Sequence, residues 1–385
     1  MKRSYLGLWL TLLLLSTFGS ALAQEEVRVA WQVTSFEINA NVQQADRSLN
    51  ATAILNARNV GRGSGQTLTF RLNSKAVVKS VTMAGANVPF RVVAETQGGI
   101  QRVTTTLSAP VAANGSVSLT IGYSLPVESN TGLAAISPIG SQFLPLSFWY
   151  PTPNTPFTIR GADTAPFKLT VSGANVVSSG VERTTGSVVV HEQPLNAQPF
   201  FVQGDWDKVE GVGEARGIIA LVPKGIAADE RRQAEALINL TGAARTYFAN
   251  GLGPAPDIPL RLVAVRRGSG YHDGGTVLLE SSALRRLKPD AATALVLAEA
   301  VAQLWVGGQT AVRGEGGGVL REGLTRYLAN TFIEKQFGRE AANAEQLRQR
   351  LTYTSVARRD APLSRSTQLD DAYFSSVPNK GAMVF

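Results

Sequence analysis

Two histidines, His191 and His272, and no cysteine in 385 residues limit the chemistry open to this chain. Thiol nucleophiles, disulfides, iron–sulfur clusters and cysteine-based zinc sites are excluded. The two histidines stand too far apart for the i, i+4 pair of an HExxH helix, which excludes a zinc peptidase of that kind as written. Among the carboxylates, Glu299 has the most unusual surroundings. Between Ala291 and Val306 the polar side chains are Thr293, Glu299 and Gln303 alone, so the helix carrying them must be buried almost all round. A carboxylate there loses several kcal/mol of solvation unless it is paired, or it stays protonated. One reading pairs Glu299 with Gln303 at i, i+4 and with a cation from the next helix. The other makes it a general acid or base with a raised pKa.

The elements that must position these residues follow from hydrophobic period. After about Lys208 the period is helical. Leu237, Leu240, Ala244 and Tyr247 share one face of a helix expected over 227–250, which Gly251 and Gly253 stop. Strands are expected at Leu260–Val265 and Thr276–Leu279, joined by a Gly-rich turn through Gly275. A helix capped by Asp290 should run to about Trp305, and another from about Val319 to Phe337, with the Gly314–Gly318 stretch between them. From Val27 to Trp206 the period is two, as in Phe36, Ile38, Ala40 and Val42, in Leu68, Phe70 and Leu72, and in Val117, Leu119, Ile121 and Tyr123. Many short strands broken by turns such as Asn114-Gly115 imply an antiparallel β-sandwich. The expected organisation is a β-sandwich over 24–208 and an α+β domain over 209–385.

Residues 1–23 have the parts of a secretory signal: Lys2 and Arg3, an apolar run from Tyr5 to Leu15, and Ala21-Leu22-Ala23. Cleavage near Ala23 and a secreted or periplasmic location are expected. The run is shorter than the roughly 20 residues of a membrane span, so no transmembrane segment is expected after cleavage. The formal charge of +8 makes the chain basic, but its positive residues are scattered. The densest stretch (Arg348, Arg350, Arg358, Arg359, Arg365) lacks interleaved aromatics, so it reads as a solvated face and no nucleic-acid partner is expected.

Ala298-Glu299-Ala300-Val301-Ala302-Gln303-Leu304-Trp305 resembles the HExxHQWF helix of the aminopeptidase N family of gluzincin metallopeptidases, with alanine at both histidine positions. Arg321-Glu322-Gly323-Leu324-Thr325-Arg326-Tyr327 is similar to that family's NEGFAxY helix, one residue further along than usual. Phe148-Trp149-Tyr150-Pro151, Val177-Ser178-Ser179-Gly180 and Pro199-Phe200-Phe201 resemble landmarks of its saddle-shaped N-terminal β-domain. The resemblance implies that domain followed by a thermolysin-like domain.

The departures from the family fall on its chemistry. Ala298 and Ala302 stand at two zinc-ligand positions, leaving Glu322 as the one remaining ligand and Glu299 as a vestigial general base. His272-Asp273-Gly274-Gly275 aligns with the GAMEN strand, so His272 replaces the Glu that anchors a substrate amine. Pro378 replaces the Tyr that stabilises the oxyanion. The resemblance therefore implies a pseudopeptidase that has lost zinc and has no other cofactor. Its vestigial cleft, formed by Ala298, Ala302, Glu322, Arg321, Arg326, His272, Asp273, Gly275 and Pro378, would hold a peptide or extended protein segment. Arg321 or Arg326 is expected to supply part of the lost metal's charge. Two alternatives stay open: an active metallopeptidase with a metal site rebuilt from His272, Glu299 and Glu322, and a structural or partner-binding module of a longer exported chain. The apolar end Ala382-Met383-Val384-Phe385 reads as a chain cut short within the second domain.

Overall fold

A computed structural model describes residues 29–95, 99–153, 164–186, 188–312, 316–366, 368 and 370–385. The leader at 1–23 and part of the Gly314–Gly318 stretch lie outside these residues. Among the described residues no helix is long and apolar enough to cross a membrane.

The period-two segments form the strands they predict. Phe36 and Ile38 on Trp31–Gln43, Leu68, Phe70 and Leu72 on Gly65–Asn73, and Leu119 and Ile121 on Ser116–Pro126 are all essentially inaccessible. They share one core between an eight-stranded and a four-stranded sheet. The eight-stranded order is Val181–Thr185, Val188–Ala197, Ala165–Ser172, Trp31–Gln43, Ser48–Asn59, Ser116–Pro126, Val77–Met83, Ala86–Asn87. It departs from the expected antiparallel pattern at one pair, because Trp31–Gln43 runs parallel to Ala165–Ser172, with Ile38 opposite Leu169. The chain between them passes through the other sheets before returning, and so re-enters the sheet in the same direction as it left. A small third sheet, Val176–Val177, Phe201–Gln203, Gly140–Phe143 and Ala134–Ser137, faces the second domain.

The second domain is built on a five-stranded sheet ordered Trp206–Glu210, Ile218–Pro223, Leu260–Val265, Thr276–Glu280, His272–Asp273. Trp206–Glu210 pairs with Ile218–Pro223, so the chain changes sheets at Gly204-Asp205 and the expected boundary at 208 falls inside a strand. The three middle strands are parallel. Leu260–Val265 is buried along its whole length, its one polar side chain, Arg261, included.

Helix α1 (Ala228–Leu252) makes the crossover between two parallel strands, and α2 (Ala291–Ala302) packs against α1 and α3 (Thr325–Phe337). Asp290 caps α2 as expected, its Oδ1 accepting from the Thr293 N–H at 2.8 Å. The helix ends at Ala302 instead of Trp305, and residues 303–305 continue as a turn before Gly307 at φ 96°. Helices α4 (Arg339–Val356) and α5 (Tyr373–Ala382) complete the domain.

The two domains share a buried seam. Leu144, Val177, Phe200 and Val202 of the first pack with Val263, Val265 and Leu278 of the second. Arg261 Nη1 donates to Gly180 O at 2.6 Å, and Gln193 Nε2 to Gly274 O at 3.0 Å.

Candidate functional site

Helix α2 presents Glu299 and Gln303 one turn apart, and both are buried. The edge strand His272–Asp273 lies beside them. The third contributor is a π-helical turn, Val319–Leu324, that leads directly into α3. A π turn closes on the fifth residue instead of the fourth, so it accommodates one extra residue in a helix. Glu322, one residue late by the spacing of the sequence motifs, sits on this turn.

Arg326 straddles the Glu299 carboxylate. Its Nη2 donates to Oε2 at 3.0 Å and its Nε to Oε1, a two-bonded fork that matches guanidinium to carboxylate. Arg326 Nη1 reaches Asn379 Oδ1 at 2.5 Å, which fixes the fork to α5. Burial alone would push the Glu299 carboxyl up, but Arg326 and then His272 hold it down to about 2. The cation paired with Glu299 thus comes from the next helix, and the Gln303 side chain bonds elsewhere.

Gln303 instead bridges two other groups. Its Oε1 lies 3.0 Å from His272 Nδ1, and its Nε2 donates to Glu322 Oε2 at 3.3 Å. Because the amide oxygen can only accept, Nδ1 carries a proton. Nε2 then faces Glu299 Oε2 at 3.7 Å, an arrangement that favours a second proton on the ring. Burial opposes that charge, yet Glu299 and Glu322 outweigh it and raise the His272 pKa. Glu322 is raised too, by burial above all, with Arg321 and His272 offsetting only part of the cost.

Arg321 completes the network. Its Nη2 donates to Asp273 Oδ1 at 2.7 Å and its Nε lies 3.7 Å from Glu322 Oε1. Asp273 also accepts from the N–H groups of Gly274 and of Gln198, each at 2.8 Å, and so ties the first domain to the site. Three carboxylates, two guanidiniums and one imidazole thus meet within one cluster.

Other expected residues fall differently. Ala298 and Ala302 are completely buried in the core of the second domain. Gly275 has φ 85° and is buried, and a side chain there would meet Ile258, Pro259 and Leu260. It therefore packs against the segment that leads into the strand Leu260–Val265. Pro378 is buried inside α5, and the contact to the network comes from its neighbour Asn379. His191 lies in the first domain, where burial holds its imidazole down to about 3 and hence neutral.

Sequence reasoning missed Gln303 as the bridge, and missed Asn379, Gln198 and two tyrosines. The Tyr271 hydroxyl is buried without a hydrogen-bond partner among the described residues. Burial and the negative charge of Glu322 raise the Tyr373 phenol. No local pattern marks these residues, because each is brought in from a different element.

The donors do not suit a zinc ion. Catalytic zinc needs three protein donors converging at about 2 Å. Here both oxygens of Glu299 are taken by Arg326, and Ala298 and Ala302 offer none. Among the described residues no group of three His, Cys, Asp or Glu could hold a metal. What the arrangement does accomplish is charge compensation among buried carboxylates.

The fold is that of the M1 zinc metallopeptidases, a saddle-like β-domain followed by a thermolysin-like domain. Leukotriene A4 hydrolase from Saccharomyces cerevisiae superposes with a TM-score of 0.72 at 14% identity, over 97% of this chain and 62% of that one. The yeast enzyme in complex with bestatin gives 0.72 at 15%, over 95% and 60%. An M1 zinc metallopeptidase from Deinococcus radiodurans gives 0.64 at 16%, over 92% and 81%. The chain thus spans about 60% of the yeast hydrolase. No protein-family model and no curated protein matches the sequence.

Proposed function

We propose that this is an exported, catalytically inactive relative of the zinc aminopeptidases that binds peptides or extended protein segments in the cleft beside Glu322. The observation that carries the reading is the Arg326 fork. A carboxylate ionised down to about pH 2 and bonded through both oxygens has no capacity left to activate water. Alanine at 298 and 302 removes the imidazoles that would hold a metal-bound water.

Peptide binding is supported by the edge strand. Among the described residues His272–Asp273 pairs on one side only, with Thr276–Glu280, and its other side is where an added strand would pair. The Deinococcus metallopeptidase, as a mutant, holds a Tyr-Ser-Ala substrate, and the yeast hydrolase holds bestatin. Export rests on the leader at 1–23.

Titration of the purified protein with Tyr-Ser-Ala, followed by calorimetry and by mass spectrometry of the peptide, tests the reading. Saturable binding with the peptide left intact is expected. Chelator-sensitive cleavage would replace the reading with an active metallopeptidase. Absence of binding would favour a structural or partner-binding module.

A further inference from the structure

A concavity lies at the end of the five-stranded sheet away from His272 and Asp273. His272 and Asp273 pair with Val277 and Thr276, at the start of strand Thr276–Glu280. A groove of about 830 Å³ takes Ser281, just beyond that strand's end, together with Pro223 and Val265, the last residues of the two parallel neighbours. The carboxyl ends of parallel strands are where open α/β sheets present ligand crevices. The volume is that of a small-molecule site.

The groups around this groove are unlike those around Glu299. Arg266 and Arg267 are exposed and make no ion pair among the described residues. The lining carboxylate, Asp205, is held by Lys224 at 2.6 Å and so does not answer them. Trp206 is fixed by its Nε1, which donates to Ala264 O at 2.9 Å. Gln142 and Gln203 face it from the third sheet of the first domain.

Close backbone approaches form the groove in advance. A Cβ on Gly204 would lie 2.6 Å from the Trp206 ring, and one on Gly268, at φ 70°, 2.7 Å from the Gln142 amide. Glycine at these two positions lets the indole and the Arg266-Arg267 turn seat against their neighbours.

We propose that this groove binds a sugar bearing an anionic group, a carboxylate or a phosphate. The indole offers an apolar face for the C–H side of a pyranose, the Gln203 amide and the Gln142 Oε1, whose Nε2 is held by Gly132 O at 2.6 Å, bond its hydroxyls, and the arginines take the anion through charge-assisted hydrogen bonds. A neutral sugar leaves the arginines unanswered. An inorganic anion leaves the indole and amides unused.

Glucuronate, glucose 6-phosphate, glucose and inorganic phosphate, titrated separately and followed by tryptophan indole NMR, test the proposal. One of the two anionic sugars should bind wild type with Kd of about 1 mM or tighter, and which one does so identifies the anion. Glucose and phosphate should each bind at least about tenfold more weakly. Arg266→Gln/Arg267→Gln should weaken the sugar by about tenfold or more with an unchanged melting curve, since both side chains are exposed. No saturable binding of either anionic sugar, equal binding by the double variant, or equal binding of phosphate alone would overturn the proposal.

Discussion

At the scale of single residues, Arg326 has the largest predicted effect. Replacing it with Met strands a buried carboxylate and should cost about 3–5 kcal/mol, read from urea denaturation. An exposed i, i+4 pair would cost about 0.3–0.5 kcal/mol. Glu299→Gln added to that variant should recover part of the loss, because the stranded charge goes with it. The Glu299 pKa lies below its ordinary 4.5, so the pair's contribution is present above about pH 4.5 and is lost as pH falls towards 2.

His272 acts in the opposite sense. Its folded pKa lies above the ordinary 6.5, so its contribution is full below about pH 6.5 and is lost as pH rises through the folded value. Melting temperatures measured across pH should fall over that window in wild type, and His272→Gln should abolish that part of the fall. The buried, charged character of this cluster was legible in sequence, since an apolar helix containing one Glu needs a cation. Which arginine meets which carboxylate was not, because that depends on how α2, α3 and the π turn are rotated against one another.

At the scale of elements, two glycines set how the π turn meets α5. Gly323 follows Glu322 and Gly381 follows Lys380, and a Cβ on Gly323 would lie 2.7 Å from the Gly381 Cα. The π turn and α5 therefore touch backbone to backbone, which holds Asn379 on Arg326. Gly323→Ala should destabilise by about 1–3 kcal/mol through overpacking, seen as a lower urea midpoint. The same change on exposed Gly251, which meets nothing within 4 Å, should be far milder. Asp290 was readable as a cap from its type and position alone. The early end of α2 was not, since Leu304 and Trp305 prolong the apolar run past the last helical residue. The parallel pair at Ile38 and Leu169 was equally hidden, because alternation reveals a strand but not its partner or direction.

At the scale of the molecule, the two domains should unfold as one. The shared apolar seam, the Arg261 bond to Gly180 and the Asp273 bond to Gln198 cross between them. Calorimetry should show a single transition with equal calorimetric and van't Hoff enthalpies; two resolved transitions would contradict that coupling. The order of strands and helices was largely visible in the period of the sequence. The seam was not, because Val202 and Val263 look like any other strand residues until the sheets are placed together.

What distinguishes the molecule is the compensation of buried carboxylates by arginines in a fold shared with zinc enzymes. Its most direct test is to dialyse the purified protein against excess zinc, then against metal-free buffer, and to measure zinc per chain by elemental analysis. Far less than one equivalent is expected, with no change in melting temperature. One tightly held zinc per chain, lost on Glu322→Gln, would contradict it.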